Sequence, residues 1–147
     1  MKIALVCSQG GHLTEMLFLM DAFDGHDIFF VTYTNNRTKK LKYKKYLIEE
    51  IGTNIWKMLK AFFQTFKILK KEKPNLIIST GPEIAIPATI LARFMKIKTI
   101  YIESWCRVKT KSGTGKLLYY LSNYFLVQWP GLLKKYGKKA RYEGAVI

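Results

Sequence analysis

Short apolar runs alternate with helical stripes along this sequence. Residues 3–7 form a continuous apolar run that ends in glycines, and the apolar positions that follow recur at helical spacing. After a polar turn, residues 28–33 are β-branched and aromatic, so the first stretch predicts a β-α-β unit. Such units indicate an α/β fold with a mostly parallel sheet.

The remainder of the chain continues this alternation. Residues 35–45 are polar and basic and predict a loop, and residues 79–83 predict a turn. Pro74 ends one predicted helix, and Pro130 opens the last one. The predicted strands are residues 46–51, 76–78, 99–102 and 124–127, and the predicted helices are residues 53–73, 84–95 and 116–122.

The predicted helix of residues 53–73 has two open interpretations. It can cover the sheet with one apolar stripe and leave its lysines in water. Its basic residues beside Trp56, Phe62, Phe63 and Phe66 also match helices that lie at a membrane interface. The stripe expected to face the core is Ile55, Met58, Leu59, Phe62, Phe66 and Leu69.

Composition limits the class of protein. A chain of 147 residues forms one domain, and 49% hydrophobic residues exclude global disorder. The 25 lysines and arginines against 10 acidic residues give a net charge of +15. An anionic partner is therefore expected: nucleic acid, an anionic bilayer face or a phosphorylated substrate. The longest uncharged run, residues 117–133, is interrupted by polar residues, so any membrane contact is expected to be peripheral, and no signal peptide is expected.

Candidate chemistry falls in three loops, at residues 8–12, 79–83 and 103–107. Ligands of an open parallel sheet bind beyond the carboxyl ends of its strands. Gly10 and Gly11 would let backbone N–H groups approach an anion at a helix N-terminus, although adjacent glycines also fit ordinary turns. The turn S-Q-G-G-H-L lacks the dinucleotide fingerprint, and residues 113–116 lack P-loop spacing, so NAD, FAD and an NTPase are disfavoured.

Three titratable side chains stand in these loops. His12 begins a predicted helix, whose positive end favours a neutral ring that accepts protons; the alternative is a capping or hydrogen-bonded structural histidine. Glu83 and Glu103 each follow a strand, where a carboxylate can act as a base or simply interact with a helix end. Cys7 and Cys106 lack metal-ligand spacing, so we expect no metal and structural thiols.

Several segments together resemble a known family. They are S-Q-G-G-H at 8–12, S-T-G-P-E at 79–83, I-E-S-W-C-R-V at 102–108, T-G-K at 114–116, V-Q-W-P at 127–130, K-Y at 135–136 and Y-E-G at 142–144. In this order, almost end to end, the set is similar to the acceptor-side glycosyltransferase subunits called PssD or CpsF in bacterial polysaccharide synthesis. These resemble the asparagine-linked glycosylation protein Alg-fourteen.

The resemblance implies half of a GT-B glycosyltransferase, similar to the N-terminal domain of MurG, as a single Rossmann-like domain over residues 1–147. A separate PssE-like subunit would bind a UDP-sugar at the shared cleft, and this chain would bind a polyprenyl diphosphate-sugar acceptor. In that family the glycine turn and its histidine face the lipid-linked diphosphate. The residues expected to contact the diphosphate are Ser8, Gly10, Gly11, Gly81 and Arg107.

The resemblance leads to the hypothesis of inverting transfer, in which His12 or Glu103 removes a proton from the acceptor hydroxyl. No metal or cofactor is required, because helix N-termini and cations can stabilise the leaving UDP. Arg107 and, more weakly, Lys109 are candidates for diphosphate or partner contacts, with a solvated basic loop as the alternative.

A membrane location also follows from the resemblance. Members of the eukaryotic branch carry an N-terminal membrane helix, whereas this chain begins in its first strand. We therefore expect basic and aromatic surfaces to dock it on the cytoplasmic face of an anionic membrane. Two alternatives stay open: a noncatalytic scaffold that recruits a partner to the membrane, and a nucleic-acid-binding protein, which is disfavoured because no helix-turn-helix, zinc-finger or RRM signature is present.

Overall fold

The computed structural model describes residues 1–146 and contains one parallel β-sheet. Every paired strand in it runs parallel to its neighbour. The strands are β1 (Lys2–Cys7), β2 (Asp27–Tyr33), β3 (Lys45–Ile48), β4 (Leu76–Gly81), β5 (Lys98–Ile102), β6 (Tyr124–Leu126) and β7 (Ala140–Arg141). Their order across the sheet is β3-β2-β1-β4-β5-β6-β7, which is the Rossmann order with one added strand.

Helices connect these strands. They are α1 (Gly11–Phe18), α2 (Asn36–Lys39), α3 (Ile55–Glu72), α4 (Ala85–Phe94), α5 (Gly113–Leu121) and α6 (Gly131–Tyr136), with a 3-10 turn at Met20–Phe23.

Both faces of the sheet are covered. Successive strand residues point to opposite sides, so each strand contributes side chains to both cores. On one face Leu5 and Phe30 pack with Leu13 of α1. On the other face Val6 packs in a core that includes Leu69 of α3 and residues of α4, and a third cluster joins α5 and α6 to β5 and β6. In this doubly wound arrangement the order in which strands are added to the sheet reverses between β1 and β4, which opens a crevice at their carboxyl ends.

The predicted α/β class and the single Rossmann-like sheet are confirmed, and the sheet is wholly parallel rather than mostly so. Residues 79–81 extend β4 instead of forming a turn. The predicted loop at residues 35–45 contains α2, which is stabilised by reciprocal capping between Asn35 and Thr38. Helix α5 begins three residues before the predicted start, because Ser112 caps it by accepting a hydrogen bond from Gly115 N at 2.7 Å.

The stripe predicted to bury α3 is only partly correct. Leu69 is fully buried, but Ile55 is 65% exposed, and Leu59 and Phe66 are also exposed. Smaller side chains occupy much of the face that packs on the rest of the protein, so the bulky stripe is left outside. The buried residues of α3 are Ala61, Thr65, Ile68, Leu69 and Glu72.

Candidate functional site

A cleft of about 390 Å³ opens at the carboxyl edge of the sheet. His12 of α1 lines it together with Pro82, which follows β4. The loop after β5 contributes Glu103 and Arg107. Three residues predicted from sequence, two of them candidate bases, therefore share one cleft, which is also lined by Tyr101, Ser104, Cys106, Ser112, Gly113 and Thr114.

The glycine turn beside the cleft is open to an approaching ligand. Gly10 has a φ of +78°, and a Cβ added at Gly10 or Gly11 would meet no described atom within 4 Å. Among residues 1–146, no side chain caps the N-terminus of α1. The first backbone N–H groups of α1 therefore offer donors, and the positive end of the helix dipole, to an anion.

Arg37 adds a cation to this turn. Its Nη1 donates to the Gly10 carbonyl oxygen at 3.0 Å, and its Nη2 donates to Thr14 Oγ1 at 3.0 Å. Sequence reasoning missed Arg37, because it stands in the stretch predicted as a loop. The available signal was Asn35 three residues before Thr38, a pair that caps the short helix carrying Arg37.

His12 has a defined hydrogen-bonding orientation. Its Nδ1 lies 2.7 Å from the Thr80 carbonyl oxygen, and Thr80 Oγ1 donates to the His12 carbonyl oxygen at 2.8 Å. Because a carbonyl oxygen can only accept, Nδ1 carries the proton in this bond. The neutral ring then has an unprotonated Nε2, which is the form that a general base needs.

Glu103 lies deeper and is fully buried. Its carboxylate accepts hydrogen bonds from Ser104 N at 3.0 Å, Ser112 N at 3.2 Å and Ser112 Oγ at 3.0 Å, and also from Tyr136 Oη. Burial and the bond to Glu103 raise the pKa of Tyr136, which keeps the phenol a donor. These bonds hold Glu103 against the N-terminus of α5, so its contacts are those of a structural residue. Its role as a base stays a prediction.

The other predicted residues lie around the cleft. Ser8 N donates to the Gly81 carbonyl oxygen at 3.1 Å, which joins the ends of β1 and β4. Lys109 is exposed and lies outside the cleft walls. Glu83 accepts a hydrogen bond from Tyr33 Oη at 2.8 Å. Ser8, Gly10 and Gly11 thus form the adjoining turn, and Gly81 ends β4 beside it. Of the predicted diphosphate contacts, Arg107 alone lines the cleft.

The two thiols occupy different environments. Cys7 is fully buried, and burial raises its pKa to about 12, so its thiol is unreactive at neutral pH. Cys106 is exposed and lines the cleft. In the part of the chain that the structure describes, no three histidine, cysteine or acidic side chains are grouped so as to hold a metal ion.

The sequence of this chain is similar to those of a known protein family. The profile of a family described as "Oligosaccharide biosynthesis protein Alg14 like" matches residues 42–146. Human UDP-N-acetylglucosamine transferase subunit ALG14 is 29% identical, over 100% of this chain and 83% of its own length. The Schizosaccharomyces pombe subunit of the same name is 30% identical, over 93% of this chain and 79% of its own length.

Solved structures share the fold at lower sequence identity. Acinetobacter baumannii MurG superimposes with a TM-score of 0.80 at 19% identity, over 99% of this chain and 45% of the MurG chain. UDP-GlcNAc 2-epimerase from Neisseria meningitidis, bound to UDP-GlcNAc, gives a TM-score of 0.78 at 14% identity, over 99% of this chain and 47% of its own. The chain thus spans about half the length of these solved structures, and the likeness shows its fold.

Proposed function

Because this chain belongs to the family of Alg14-like oligosaccharide biosynthesis proteins, we propose that it is the acceptor-binding subunit of a split, inverting glycosyltransferase. A separate chain would bind the UDP-sugar, which the names of the relatives suggest is UDP-N-acetylglucosamine. The acceptor would be a lipid-linked diphosphate-sugar. One observation supports the proposal most directly: Nδ1 of His12 is hydrogen-bonded to the Thr80 carbonyl oxygen, which leaves Nε2 as the ring nitrogen available to accept a proton in a cleft at the carboxyl edge of the sheet.

Positively charged groups at the cleft support the proposal that it binds a diphosphate. The N-termini of α1 and α5 reach it, through His12 and through Gly113 and Thr114. Arg107 lines it, and Arg37 holds the adjoining glycine turn. Helix N-termini and guanidinium groups both stabilise phosphate oxygens, so the diphosphate is proposed to lie between them.

In the proposed reaction the acceptor hydroxyl oxygen attacks the anomeric carbon of the donor sugar. The bond from that carbon to the UDP oxygen breaks, and UDP leaves with the electron pair. His12 Nε2 takes the hydroxyl proton, which makes the attacking oxygen a better nucleophile. His12 is preferred over Glu103 for this step, because Glu103 is fully buried and its carboxylate already accepts several hydrogen bonds.

Transfer is expected only when this chain and its donor-binding partner are combined. One Rossmann-like domain supplies one wall of a GT-B cleft, and this chain covers 45% of the MurG chain. Membranes supplied with labelled UDP-sugars and lipid-linked acceptor would be assayed with each protein alone and with both. Transfer by this chain alone would contradict the split enzyme, and no transfer from the folded pair with acceptor present would favour a noncatalytic scaffold.

We also propose that the outer face of α3 docks the protein peripherally on an anionic membrane. Trp56 is 75% exposed and Phe63 is 66% exposed, beside a row of lysines. The N-terminal end of α3 lies at the carboxyl edge of the sheet, because it follows β3, and so it shares that edge with the cleft. Among residues 1–146 no helix is long and apolar enough to cross a membrane. The exposed apolar residues of α3 are Ile55, Trp56, Leu59, Phe63 and Phe66.

Serine replacement of Trp56 and Phe63 together is expected to weaken binding to anionic vesicles by more than about tenfold. Burial of one large apolar side chain contributes about 1.5–3 kcal/mol, and both contributions are removed. Sedimentation with phosphatidylglycerol-containing vesicles measures the effect. Phe94→Ser is the matched control, because Phe94 is 80% exposed but lies at the C-terminal end of α4, on the opposite edge. Equal losses in both proteins, or none in the double variant, would contradict docking through α3.

A further inference from the structure

Helix α1 carries a buried carboxylate one turn after His12. Glu15 is only 3% exposed, although it is ionisable. Its Oε1 accepts hydrogen bonds from Ser104 Oγ at 3.2 Å and from Trp105 N at 3.1 Å. Its Oε2 accepts a hydrogen bond from Gln128 Nε2 at 3.2 Å. Glu15 therefore joins α1 to the loop after β5 and to the segment after β6.

Gln128 completes this connection and is 2% exposed. Its Nε2 also donates to the Glu103 carbonyl oxygen at 3.0 Å, and its Oε1 accepts from Val146 N at 2.9 Å. Both amide hydrogens and the amide oxygen are used, so the orientation of this side chain is fixed. Gln128 Nε2 is thus a fixed donor to one carboxylate oxygen of Glu15, and the loop after β5 donates to the other oxygen.

Of the side chains with this shape, only a carboxylate can accept hydrogen bonds from all three donors. A carboxylate accepts on both oxygens, whereas an amide presents one acceptor and one donor. Burial is the largest influence on Glu15 and raises its pKa, which is the cost of placing an acidic group there. The partners of Glu15 lie 89 to 113 residues away in the chain, so the contact stabilises tertiary structure between distant segments.

We propose that Glu15 is a positioning residue, which holds the loop of residues 103–107 against α1 and so sets the separation of His12 and Arg107. These two residues stand on walls of the same cleft, one on α1 and the other on that loop. The effect of Glu15 on transfer rests on the proposed function. The contact by which Glu15 holds the loop, called the tether below, does not. A group that must reach a diphosphate while the base reaches a hydroxyl has to be placed to within about 1 Å.

Glu15→Gln is the sharpest test, because it keeps the shape and removes one acceptor. If the amide oxygen faces Ser104 and Trp105, the amide nitrogen meets Gln128 Nε2, donor against donor. We expect the loop of residues 103–107 to exchange its backbone hydrogens about tenfold faster, as measured by mass spectrometry on the full chain. In the complex with the partner, kcat/KM should fall on the order of 10- to 100-fold, mainly through a higher KM for the acceptor.

Glu72→Gln is the matched control. Glu72 is also a buried carboxylate, and it binds Lys44, Tyr46 and Lys2 at the amino edge of the sheet. The control should lose stability but keep the exchange rate of the loop and the acceptor KM, which separates positioning from a general loss of stability. Unchanged loop exchange in Glu15→Gln would overturn the tether.

Two further outcomes keep the tether and the proposed function distinguishable. Faster loop exchange with an unchanged acceptor KM would show a tether without a role in positioning and would overturn the proposal. If the wild-type pair transfers no sugar, the proposed function fails, and with it the effect of Glu15 on transfer, while the exchange measurement still decides whether Glu15 holds the loop.

Discussion

Replacing His12 with alanine is expected to lower sugar transfer by about 10²–10⁴-fold while leaving the fold intact. The imidazole is half-buried at the start of α1, and its removal takes away the proposed base and one hydrogen bond to Thr80. Because the imidazole is only partly buried, the free energy of unfolding should change little. Initial rates of transfer by the complex with its partner, together with thermal unfolding of the variant chain, measure the two effects.

Two variants isolate the base from the rest of the side chain. His12→Asn keeps an N–H close to the position of Nδ1 for the bond to Thr80 but lacks Nε2, so it should fold normally and stay inactive. His26→Ala removes the other histidine, which is exposed in the turn before β2, and should leave transfer unchanged. If His12→Ala retained most of the wild-type rate, His12 would not be the base, and Glu103 would be the next residue to test.

The order of elements was predictable because parallel strands are buried on both faces and therefore form unbroken apolar runs. The turn at residues 8–12 and the loop at residues 103–107 could also be assigned to one edge of the sheet, since carboxyl ends of parallel strands meet there. The predictions that were wrong or missing concern short elements and the ends of helices. Strand β7 has two residues, too few for a pattern. The first turn of α5 contains Gly113 and Gly115, whose low helix propensity is offset by the Ser112 cap.

The polar interior of the site could not be predicted from the sequence. Glu15 stands between Thr14 and Met16 in α1, and nothing in that pattern shows whether it is buried. Its partners Ser104 and Gln128 are brought to it by the order of the strands, not by their spacing in the chain. The same holds for α3, where Phe63 and Leu69 are equally apolar in sequence and only the packing leaves Phe63 outside.

Gly115→Ala is expected to destabilise the protein by about 3 kcal/mol and to lower Tm by roughly 10 °C. A Cβ at this position would fall inside the van der Waals radii of Glu103 Oε2 and Tyr136 Oη, and would lie 2.7 Å from Ser112 Oγ. These atoms are hydrogen-bonded to one another, so none can move away without breaking a bond to the buried carboxylate. Urea and thermal unfolding of the purified chain measure the loss.

Gly113→Ala is the matched control, because a Cβ at Gly113, in the same helical turn, would meet no described atom within 4 Å. Alanine has the higher helix propensity, so this variant should be as stable as the wild type or slightly more so. The contrast between the two glycines measures how firmly Glu103 is lodged against α5. If Gly115→Ala were as stable as Gly113→Ala, the Glu103 carboxylate would be able to leave its partners, and its candidacy as the base would gain strength over that of His12.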